Sequence, residues 1–457
     1  MQAKTVKGEL QVSRKYFGTD GVRGRVGEPP LTVDFALRLA SAAARVLVPN
    51  GGKVLVGKDT RLSGYMFEAA LEAGFVAAGV DVLMIGPLPT PAIAYLTQKF
   101  ECNLGVVISA SHNLYEDNGI KFFNGQGGKL TDEAEAQIEK HLDEPPITRE
   151  SPSLGTARRV DKSRVHYQEF CMSTMPAGTD LSGLRIVIDC AHGAGYKVAP
   201  RTLTDLGADV IPIGCSPNGR NINLDCGSTS PQLLQMMVPG VKADLGIALD
   251  GDGDRLVMVD HTGKLVDGDQ LLYIIASAAK AAGKLVGPVV GTVMSNLGLE
   301  HALAKEGIAF HRAKVGDRYV LEKLRETGGV LGGEASGHLL CLDKTTTGDA
   351  LISALQVLAI MKQSGKTLAQ LAEPMQKYPQ ILENVRVAKK IDVTASAAIQ
   401  GAVKQAELRL NGMGRIVLRS SGTEPVIRVM VEGREESLVR ALAKDLANTV
   451  AAAAAAA

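Results

Sequence analysis

The chain has 457 residues, which is enough for about three or four domains of ~100–150 residues each. Hydrophobic residues make up 45% and charged residues 22%, as in ordinary globular proteins, and the net charge of +1 gives no global field that would attract nucleic acid or a membrane surface. Tryptophan is absent and aromatic residues total 4%, which argues against stacking platforms for bases or sugars.

The six cysteines never form a CxxC pair, which favours free thiols in a reducing compartment over a disulfide or a zinc site. The first residues lack the apolar core of a signal peptide, and no stretch reaches the ~18–20 apolar residues of a membrane span. We therefore expect a cytoplasmic protein that has neither a nucleic-acid partner nor a membrane partner.

A unit of strand, helix, strand, loop and strand recurs three times along the chain. Alternating strands and helices predict mostly parallel sheets, which bind ligands beyond the carboxyl ends of their strands. In each copy, polar residues follow the last strand. In the three copies the predicted strand, helix, second strand and last strand are 54–56, 65–78, 80–85 and 104–108; 185–189, 196–206, 208–213 and 245–249; and 288–293, 297–306, 308–313 and 329–333.

Loop signals divide the chain into four predicted domains. Residues 1–160, 161–265 and 266–379 would each hold one copy of the repeated unit, and residues 380–457 would form a strand, a helix, two strands and a helix. The predicted fold class is therefore α/β, with three consecutive similar α/β units of mixed, mostly parallel sheets and a smaller C-terminal α+β domain. We expect these domains to be arranged around a central cleft, because each unit ends in a polar loop.

The first polar loop follows the apolar run 104–108 and contains Ser109 and Ser111. A hydroxyl at the point where a buried strand ends is held rigidly and stays accessible, which suits a residue that carries a covalent group. Taken alone, the same residues also fit an ordinary polar turn.

The second polar loop contains three alternating carboxylates, Asp250, Asp252 and Asp254, separated by glycines. In extended backbone these side chains would point the same way, and three like charges so close together are unfavourable without a cation. Oxygen ligands favour Mg²⁺ or another hard divalent ion. The loop does not fit an EF-hand, because Arg255 replaces the required glycine and His261 the twelfth-position glutamate.

The third and fourth loops are less specific on their own. In the third, Glu334 and Ser336 suit sugar hydroxyls, and His338 could exchange a proton, although a structural turn explains these residues equally well. The fourth combines arginine, hydroxyls and glycine between two strands, which is typical of an anion site, with a surface turn as the alternative. Its candidate residues are Arg419, Ser421, Gly422, Thr423 and Arg428.

In this order, the four loops resemble those of the α-D-phosphohexomutase superfamily. The resemblance covers roughly residues 15–450. It also includes the sequences KYFGTDGVRG from Lys15, VGKDTRLSG from Val56, KVGDRYV from Lys314 and SGTEPVIRVMVEG from Ser421. The chain departs from many relatives at Leu114, where they carry proline, and at Ala335, where they often carry a larger residue.

The resemblance implies a role for each candidate residue. Ser111 would be the phosphoserine required for activity, and its phosphate oxygen would join Asp250, Asp252 and Asp254 on one Mg²⁺. The implied catalytic residues besides Ser111 are Lys121, His338 and Arg23. The implied substrate-binding residues are Arg255, Lys314, Asp317, Arg318, Glu334, Ser336, Arg419, Ser421, Gly422, Thr423 and Arg428, of which the last five would hold the phosphate that does not react.

The activity implied by the resemblance is the interconversion of glucosamine 6-phosphate and glucosamine 1-phosphate through a 1,6-bisphosphate intermediate, a step toward UDP-N-acetylglucosamine. The expected partners are small hexosamine phosphates, and the expected assembly is a monomer or homodimer. Glucose and mannose phosphates remain alternative substrates. A non-catalytic sugar-phosphate sensor is disfavoured, because such a protein would be expected to lose Ser111 or one of the three aspartates.

Overall fold

The structure is a computed structural model that describes residues 15–18, 20–387, 393–420 and 426–455. The chain forms two compact units. The first comprises the described residues up to Leu271 together with Ser336–Leu371, and the second comprises Leu272–Ala335 together with the described residues from Ala372 onward. All six cysteines are free thiols. Within the described ranges, no helix is both long enough and apolar enough to cross a bilayer.

The first part of the chain, up to Val266, forms eleven strands and seven α-helices. In chain order they are β1 (Val22–Arg25), α1 (Val33–Leu47), β2 (Gly52–Lys58), α2 (Gly64–Ala77), β3 (Val80–Pro87), α3 (Thr90–Lys99), β4 (Leu104–Ile108), β5 (Asp117–Asn124), α4 (Asp132–Lys140), β6 (Ala157–Arg159), α5 (Ser163–Ser173), β7 (Arg185–Asp189), α6 (Val198–Asp205), β8 (Asp209–Ile213), α7 (Gln232–Gly240), β9 (Leu245–Leu249), β10 (Leu256–Asp260) and β11 (Leu265–Val266).

The remainder of the described chain continues with the same alternation and ends in an antiparallel sheet. Its elements are α8 (Gly268–Ala281), β12 (Val289–Thr292), α9 (Leu297–Lys305), β13 (Phe310–Ala313), α10 (Asp317–Thr327), β14 (Leu331–Gly333), β15 (Leu339–Cys341), α11 (Ala350–Ser364), α12 (Leu368–Ala372), β16 (Gln380–Arg386), α13 (Ala397–Leu410), β17 (Gly414–Ser420), β18 (Val426–Gly433) and α14 (Glu436–Ala455).

The first sheet has the strand order β1-β5-β4-β2-β3-β6. Strands β4 and β3 run parallel to β2, and β5 runs antiparallel to β4, with Lys121 paired to Val107. All five residues of β4 are buried, because the strand is covered on both faces and its continuous apolar sequence suits that position. The Ser109–Ser111 segment therefore leaves the carboxyl end of a strand inside the sheet.

The second sheet has the strand order β11-β10-β9-β7-β8. Strand β9 is fully buried and runs parallel to β7, whereas β10 pairs with β9 antiparallel, with Leu256 opposite Leu249. The acidic loop is consequently the turn of a hairpin. It is fixed by the sheet on both sides, so its position follows from the pairing of two apolar strands.

The second unit contains the strands β12, β13 and β14 and a C-terminal sheet. Strand β12 runs parallel to both β13 and β14, and the C-terminal sheet has the antiparallel order β16-β18-β17. Helices α13 and α14 pack against that last sheet over an apolar core that includes Ile399, Val429 and Leu446. The mixed sheets of the three α/β units and the antiparallel C-terminal sheet confirm the predicted fold class.

The predicted loop before the last strand of each repeated unit is wrong, because each contains a helix: α3, α7 and α10. In the first copy, Pro89 caps α3 and Pro91 lies in its first turn, where the missing amide hydrogen costs no intrahelical bond. Helix α10 follows a helical pattern of buried residues, including Val320 and Leu324. The repeated unit is therefore strand, helix, strand, helix, strand.

Candidate active site

Ser111 is buried and adopts an unusual backbone conformation beyond the end of β4. Its φ is 52°, in the left-handed region that costs an L-residue about 1–3 kcal/mol, and such strain persists only where surrounding contacts enforce it. Its Oγ donates a hydrogen bond to Oδ2 of Asp250 at 2.7 Å. Its N–H donates to Oγ of Ser109 at 2.9 Å, and Ser109 in turn donates to Asp59 at 2.6 Å. Ser109 is thus occupied in holding the loop.

Arg61 holds the Ser111 loop through hydrogen bonds to its backbone carbonyls. Its guanidinium is fully buried and donates to the backbone carbonyls of Ser111 at 3.0 Å and Asn113 at 2.7 Å, and also to that of Leu114. Its Nε donates to Asp59 at 2.8 Å. The backbone of this loop, including Leu114, is therefore held by side-chain hydrogen bonds to its carbonyls.

Asn223 is a second clamp on the same loop, donating from Nδ2 to the Ser111 carbonyl at 2.8 Å and to the Asn113 carbonyl at 2.9 Å. Sequence reasoning missed both clamps. Arg61 lies in the motif that begins at Val56, so a signal for it existed, but no local pattern distinguishes Asn223 from a surface asparagine. Only the pairing of distant segments shows what it contacts.

The three aspartates of the second loop converge. One carboxylate oxygen from each of Asp250, Asp252 and Asp254 lies within 4.8 Å of the others, and all three residues are buried. The predicted reason, an extended backbone, is wrong, because residues 251–253 form a turn. Gly253 adopts a φ of 71° and donates from its N–H to the Asp250 carbonyl at 3.1 Å, so the turn itself gathers the carboxylates.

The carboxylates differ in their electrostatic surroundings. Burial, followed by the neighbouring charges of Asp254 and Asp252, raises the pKa of Asp250 well above its ordinary value. Burial also acts to raise the pKa of Asp252, but the Lys121 ammonium at 2.9 Å and the Thr90 hydroxyl at 2.7 Å lower it below its ordinary value. The carboxylates of the turn therefore disfavour one another's charge, and a cation between them would offset this repulsion.

The donor set fits a hard divalent cation. The Oδ1 atoms of Asp252 and Asp254 are buried and have no hydrogen-bond partner in the described part of the chain. Buried carboxylate oxygens without a partner are costly, and ligation to a metal ion removes that cost. Oxygen-only ligation suits Mg²⁺, which takes few protein carboxylates and keeps other positions for water or a phosphoryl oxygen.

Lys121 lies between two carboxylates on β5. Its Nζ is 2.8 Å from Asp20 and 2.9 Å from Asp252. Burial alone would lower the pKa of Lys121, but Asp20 and Asp252 raise it above its ordinary value, so the side chain stays protonated at neutral pH. Arg23 lies 3.2 Å from Asp20 as well. Sequence reasoning missed Asp20, although it belongs to the motif that begins at Lys15.

Further predicted residues of the first unit surround the acidic turn. His338 is buried, with Nδ1 at 3.6 Å from Oδ2 of Asp254, and the Nε of Arg255 is 3.9 Å from Oδ1 of the same carboxylate. Ser336 is exposed.

His112 lies in the Ser111 loop and was not among the predicted residues. Burial, together with the charges of Arg255 and Arg23, lowers the pKa of His112 to about 4, so this imidazole is neutral at pH 7.

In the second unit, two of the predicted loops meet. The N–H of Gly316 donates to Oε1 of Glu334 at 3.0 Å, which links the loop after β13 to the end of β14. Asp317 and Arg318 begin α10, and the Arg318 side chain is largely buried. Lys314 lies over the Tyr319 ring at 5.6 Å. Glu334 is thus held by a backbone donor of the neighbouring loop.

Arg419 and Arg428 are directly opposite each other on β17 and β18. Burial and the neighbouring charge of Arg428 lower the pKa of Arg419. Its Nε is buried and has no hydrogen-bond partner among the described residues. Two guanidinium groups side by side, with an unused donor, favour an anion between them. The other predicted members of this loop, Ser421, Gly422 and Thr423, lie outside the described residues.

Models of four related domains match consecutive parts of the chain and together cover most of it. They are described as the phosphoglucomutase/phosphomannomutase alpha/beta/alpha domains I, II and III and the C-terminal domain. They match residues 14–146, 167–263, 267–378 and 382–449, in that order along the chain.

Full-length relatives are also similar in sequence. Phosphoglucosamine mutase from Thiobacillus denitrificans is 57% identical over 453 residues, which cover 97% of this chain and 99% of that protein. The phosphoglucosamine mutase from Nitrosococcus oceani is 58% identical over 441 residues, which cover 96% and 98%.

Solved structures share the fold at low sequence identity. A phosphoglucomutase/phosphomannomutase family protein from Burkholderia thailandensis has a TM-score of 0.78 at 23% identity, covering 95% of this chain and 97% of that one. N-acetylphosphoglucosamine mutase from Aspergillus fumigatus, solved with GlcNAc-6P and magnesium, has a TM-score of 0.68 at 20% identity, covering 97% of both chains.

Proposed function

The chain belongs to the phosphoglucomutase/phosphomannomutase family, and from that premise we propose that it interconverts glucosamine 6-phosphate and glucosamine 1-phosphate in the cytoplasm, a step toward UDP-N-acetylglucosamine. One observation carries the phosphoryl transfer: the buried Ser111 hydroxyl donates to Asp250 in a converging group of three carboxylates. The choice of an amino sugar is supported by relatives named phosphoglucosamine mutase at 57% and 58% identity over nearly the whole chain.

In this proposal, Ser111 carries the phosphoryl group between substrates. A sugar hydroxyl oxygen bonds to phosphorus as the bond from phosphorus to the Ser111 oxygen breaks, and the hydroxyl proton passes to a base. The product of this half-reaction is glucosamine 1,6-bisphosphate. In the second half-reaction, the Ser111 oxygen takes the other phosphoryl group, which restores the phosphoserine and releases the isomeric monophosphate.

The three aspartates would hold Mg²⁺, which when bound offsets negative charge on the transferring phosphoryl oxygens. Asp250 also orients the serine, because its Oδ2 accepts the hydrogen bond from Ser111. The strained φ of Ser111, held by Arg61 and Asn223, fixes the oxygen beside the carboxylates before substrate arrives.

Proton transfer is proposed for two side chains with different surroundings. Lys121, between Asp20 and Asp252, stays protonated and so supplies positive charge and a proton. The imidazole of His338, beside Asp254, can accept a proton from the attacking hydroxyl. The two groups exchange roles in the second half-reaction, since the bisphosphate then reacts in the opposite sense.

The remaining predicted residues are proposed to bind parts of the substrate that do not react. Glu334 and Ser336 would contact the sugar hydroxyls, and Arg23, Arg255, Lys314, Asp317 and Arg318 would steady the phosphates and the loops around them. Arg419 and Arg428, with Ser421, Gly422 and Thr423, would bind the second phosphate. An anion site that recognises phosphate alone can accept either end of the bisphosphate, which the intermediate must present in turn.

The test of this function compares sugars under identical conditions. The purified protein is assayed with glucosamine, glucose and mannose 6-phosphates, with Mg²⁺ and a trace of the corresponding 1,6-bisphosphate. The proposal expects the largest kcat/KM for glucosamine 6-phosphate. A larger value for glucose or mannose phosphate would make it a phosphoglucomutase or phosphomannomutase, and binding of the sugar phosphates without turnover would indicate a sensor.

A further inference from the structure

Helix α5 carries a fully buried tyrosine that is not among the predicted active-site residues. Tyr167 is 0% exposed, and its hydroxyl donates to Oδ2 of Asp349 at 2.8 Å, across 182 residues of sequence. Both residues belong to the first unit. A buried phenol normally has a hydrogen-bond partner, so the bond alone would be unremarkable. The contact matters because Asp349 also caps its own helix, and that helix begins with a hydrogen bond to the acidic turn.

Asp349 is the N-terminal cap of α11. Its Oδ1 accepts the N–H of Ile352 at 2.9 Å, so Tyr167 and the helix occupy one carboxylate oxygen each. Ala350, the first residue of α11, donates its N–H at 3.1 Å to the carbonyl of Gly253. Gly253 is the glycine between Asp252 and Asp254 of the acidic turn. The start of α11 is therefore bonded on one side to Tyr167 and on the other to the acidic turn.

The residue before the cap contacts His338. A Cβ built on Gly348 would lie 2.4 Å from Nε2 of that imidazole, so the backbone here packs against the ring with no space for a side chain. A shift of the helix start would move the surface that supports the His338 ring. Residues 348–350 thus touch both His338 and the acidic turn, and Tyr167 fixes the residue between them.

We propose that Tyr167 is a positioning residue for phosphoryl transfer, acting through Asp349 on the acidic turn and on the ring of His338. This role rests on the proposed function, because it assumes that the acidic turn is where the metal binds and the transfer takes place. A hydroxyl on a distant helix then determines how well preorganised these two groups are. Outer contacts that orient metal ligands commonly affect metal affinity or activity by about 10–100-fold.

The direct test is Tyr167→Phe in the full-length protein, which keeps the ring and removes only the hydroxyl. We expect kcat to fall about tenfold while KM changes less than twofold, and Mn²⁺ affinity, measured by electron paramagnetic resonance, to weaken about tenfold. The matched control is Tyr95→Phe. Tyr95 lies on α3, and its ring stacks on that of Phe170 in α5, with the ring centroids 3.9 Å apart. The control should leave both quantities unchanged.

Two substitutions at Asp349 separate the tyrosine contact from the helix cap. Asn can cap α11 and still hydrogen-bond to Tyr167, so Asp349→Asn should stay within threefold of the parent. Ser also caps helices but is too short to reach the phenol, so Asp349→Ser should reproduce the tenfold losses. This second variant tests the same contact if Tyr167→Phe does not fold.

Tyr167→Phe or Asp349→Ser with parental kcat and Mn²⁺ affinity, whatever its melting temperature, would overturn the proposal and leave Tyr167 a core residue only. Mn²⁺ binding is measured without turnover, so the two proposals can fail separately. Weakened Mn²⁺ binding in a protein that isomerises none of the sugar phosphates would refute the proposed function and support the positioning of the acidic turn.

Discussion

Arg61 and Arg419 are both arginines near predicted active-site loops, yet their surroundings are opposite. The Arg61 guanidinium is fully buried, and every nitrogen donates to an internal acceptor. The acceptors are Asp59, three backbone carbonyls of the Ser111 loop and the carbonyl of Asp117 at the start of β5. Arg419 is partly exposed, faces the like charge of Arg428, and has an Nε without a hydrogen-bond partner in the described part of the chain.

This difference in hydrogen bonding indicates that Arg61 holds a loop in place, whereas Arg419 keeps a donor with which it could bind a ligand. A saturated, buried guanidinium holds its surroundings fixed, which the proposed phosphoryl transfer would require of the Ser111 loop. An arginine beside another arginine is destabilised until an anion arrives, and the charge-assisted bonds it then makes favour binding. Substitution in the Ser111 region should therefore reduce the chemical step, whereas substitution at β17 should reduce binding.

The largest effect is expected at the proposed nucleophile. Ser111→Ala removes the oxygen that carries the phosphoryl group, so turnover of glucosamine 6-phosphate should fall by on the order of 10⁴-fold or more. Steady-state kinetics with added 1,6-bisphosphate measure this loss. Parental turnover in the variant would show that another group carries the phosphate.

The control for that experiment is Ser109→Ala, two residues away. Ser109 accepts a hydrogen bond from the Ser111 N–H and donates one to Asp59, so its loss should lower the free energy of unfolding by about 1–3 kcal/mol. The variant should still accept a phosphoryl group. Denaturant unfolding and phosphopeptide mapping measure the two properties. Loss of phosphorylation in a folded Ser109→Ala protein would contradict the assignment of the two serines.

The next largest effect is expected at the acidic turn. Asp252→Asn keeps the shape of the side chain but removes one charge from the proposed cation site, and turnover should fall roughly 10²–10³-fold. Mg²⁺ affinity, measured by titration calorimetry, should weaken, and the circular dichroism spectrum should stay parental. Full activity of the parent in excess chelator would exclude a role for the metal in the transfer.

A smaller loss of activity, with a large loss of stability, is expected at Arg61. Arg61→Lys keeps the positive charge but cannot bond all five acceptors, which leaves buried carbonyls unpaired. The free energy of unfolding should fall by about 2–5 kcal/mol, and a slight displacement of Ser111 should cost about 10²-fold in kcat. Parental stability and parental kcat in Arg61→Lys would show that the saturated contacts of Arg61 are not needed to hold the Ser111 loop.

The smallest effect is expected at Arg419, and it should fall on binding. Loss of charge-assisted bonds worth about 1.5–3 kcal/mol predicts a decrease in kcat/KM of roughly 10–100-fold in Arg419→Ala, chiefly through KM, with unchanged stability. The variant should also release more glucosamine 1,6-bisphosphate, and added bisphosphate should partly restore its rate. Unchanged KM and no extra bisphosphate in a quenched reaction would exclude this arginine from the phosphate site.

The sequence predicted best where a local pattern determines the structure. Strands β4, β7 and β9 have the predicted bounds, because continuous apolar runs between polar loops specify buried strands. The convergence of Asp250, Asp252 and Asp254 was predicted correctly from their spacing, although a turn and not an extended strand produces it.

The sequence failed where the structure depends on distant partners or on the position of a proline. Pro91 reads as a loop residue until its place in the first turn of α3 is known. The contacts of Asn223 with Ser111 and of Asp20 with Lys121 form only in the folded sheets, because each pair is more than 100 residues apart in the sequence. No local pattern encodes such pairings, which are set by the packing of whole elements.

The most direct test identifies the residue that carries the phosphoryl group. Dephosphorylated protein is incubated with glucosamine 1,6-bisphosphate labelled with ³²P, quenched in acid, digested and mapped by mass spectrometry. We expect close to one labelled phosphate per chain, on Ser111, with none on Ser109 and none bound in Ser111→Ala. A label on any other residue, or turnover in a protein that never becomes labelled, would contradict Ser111 as the carrier of the phosphoryl group.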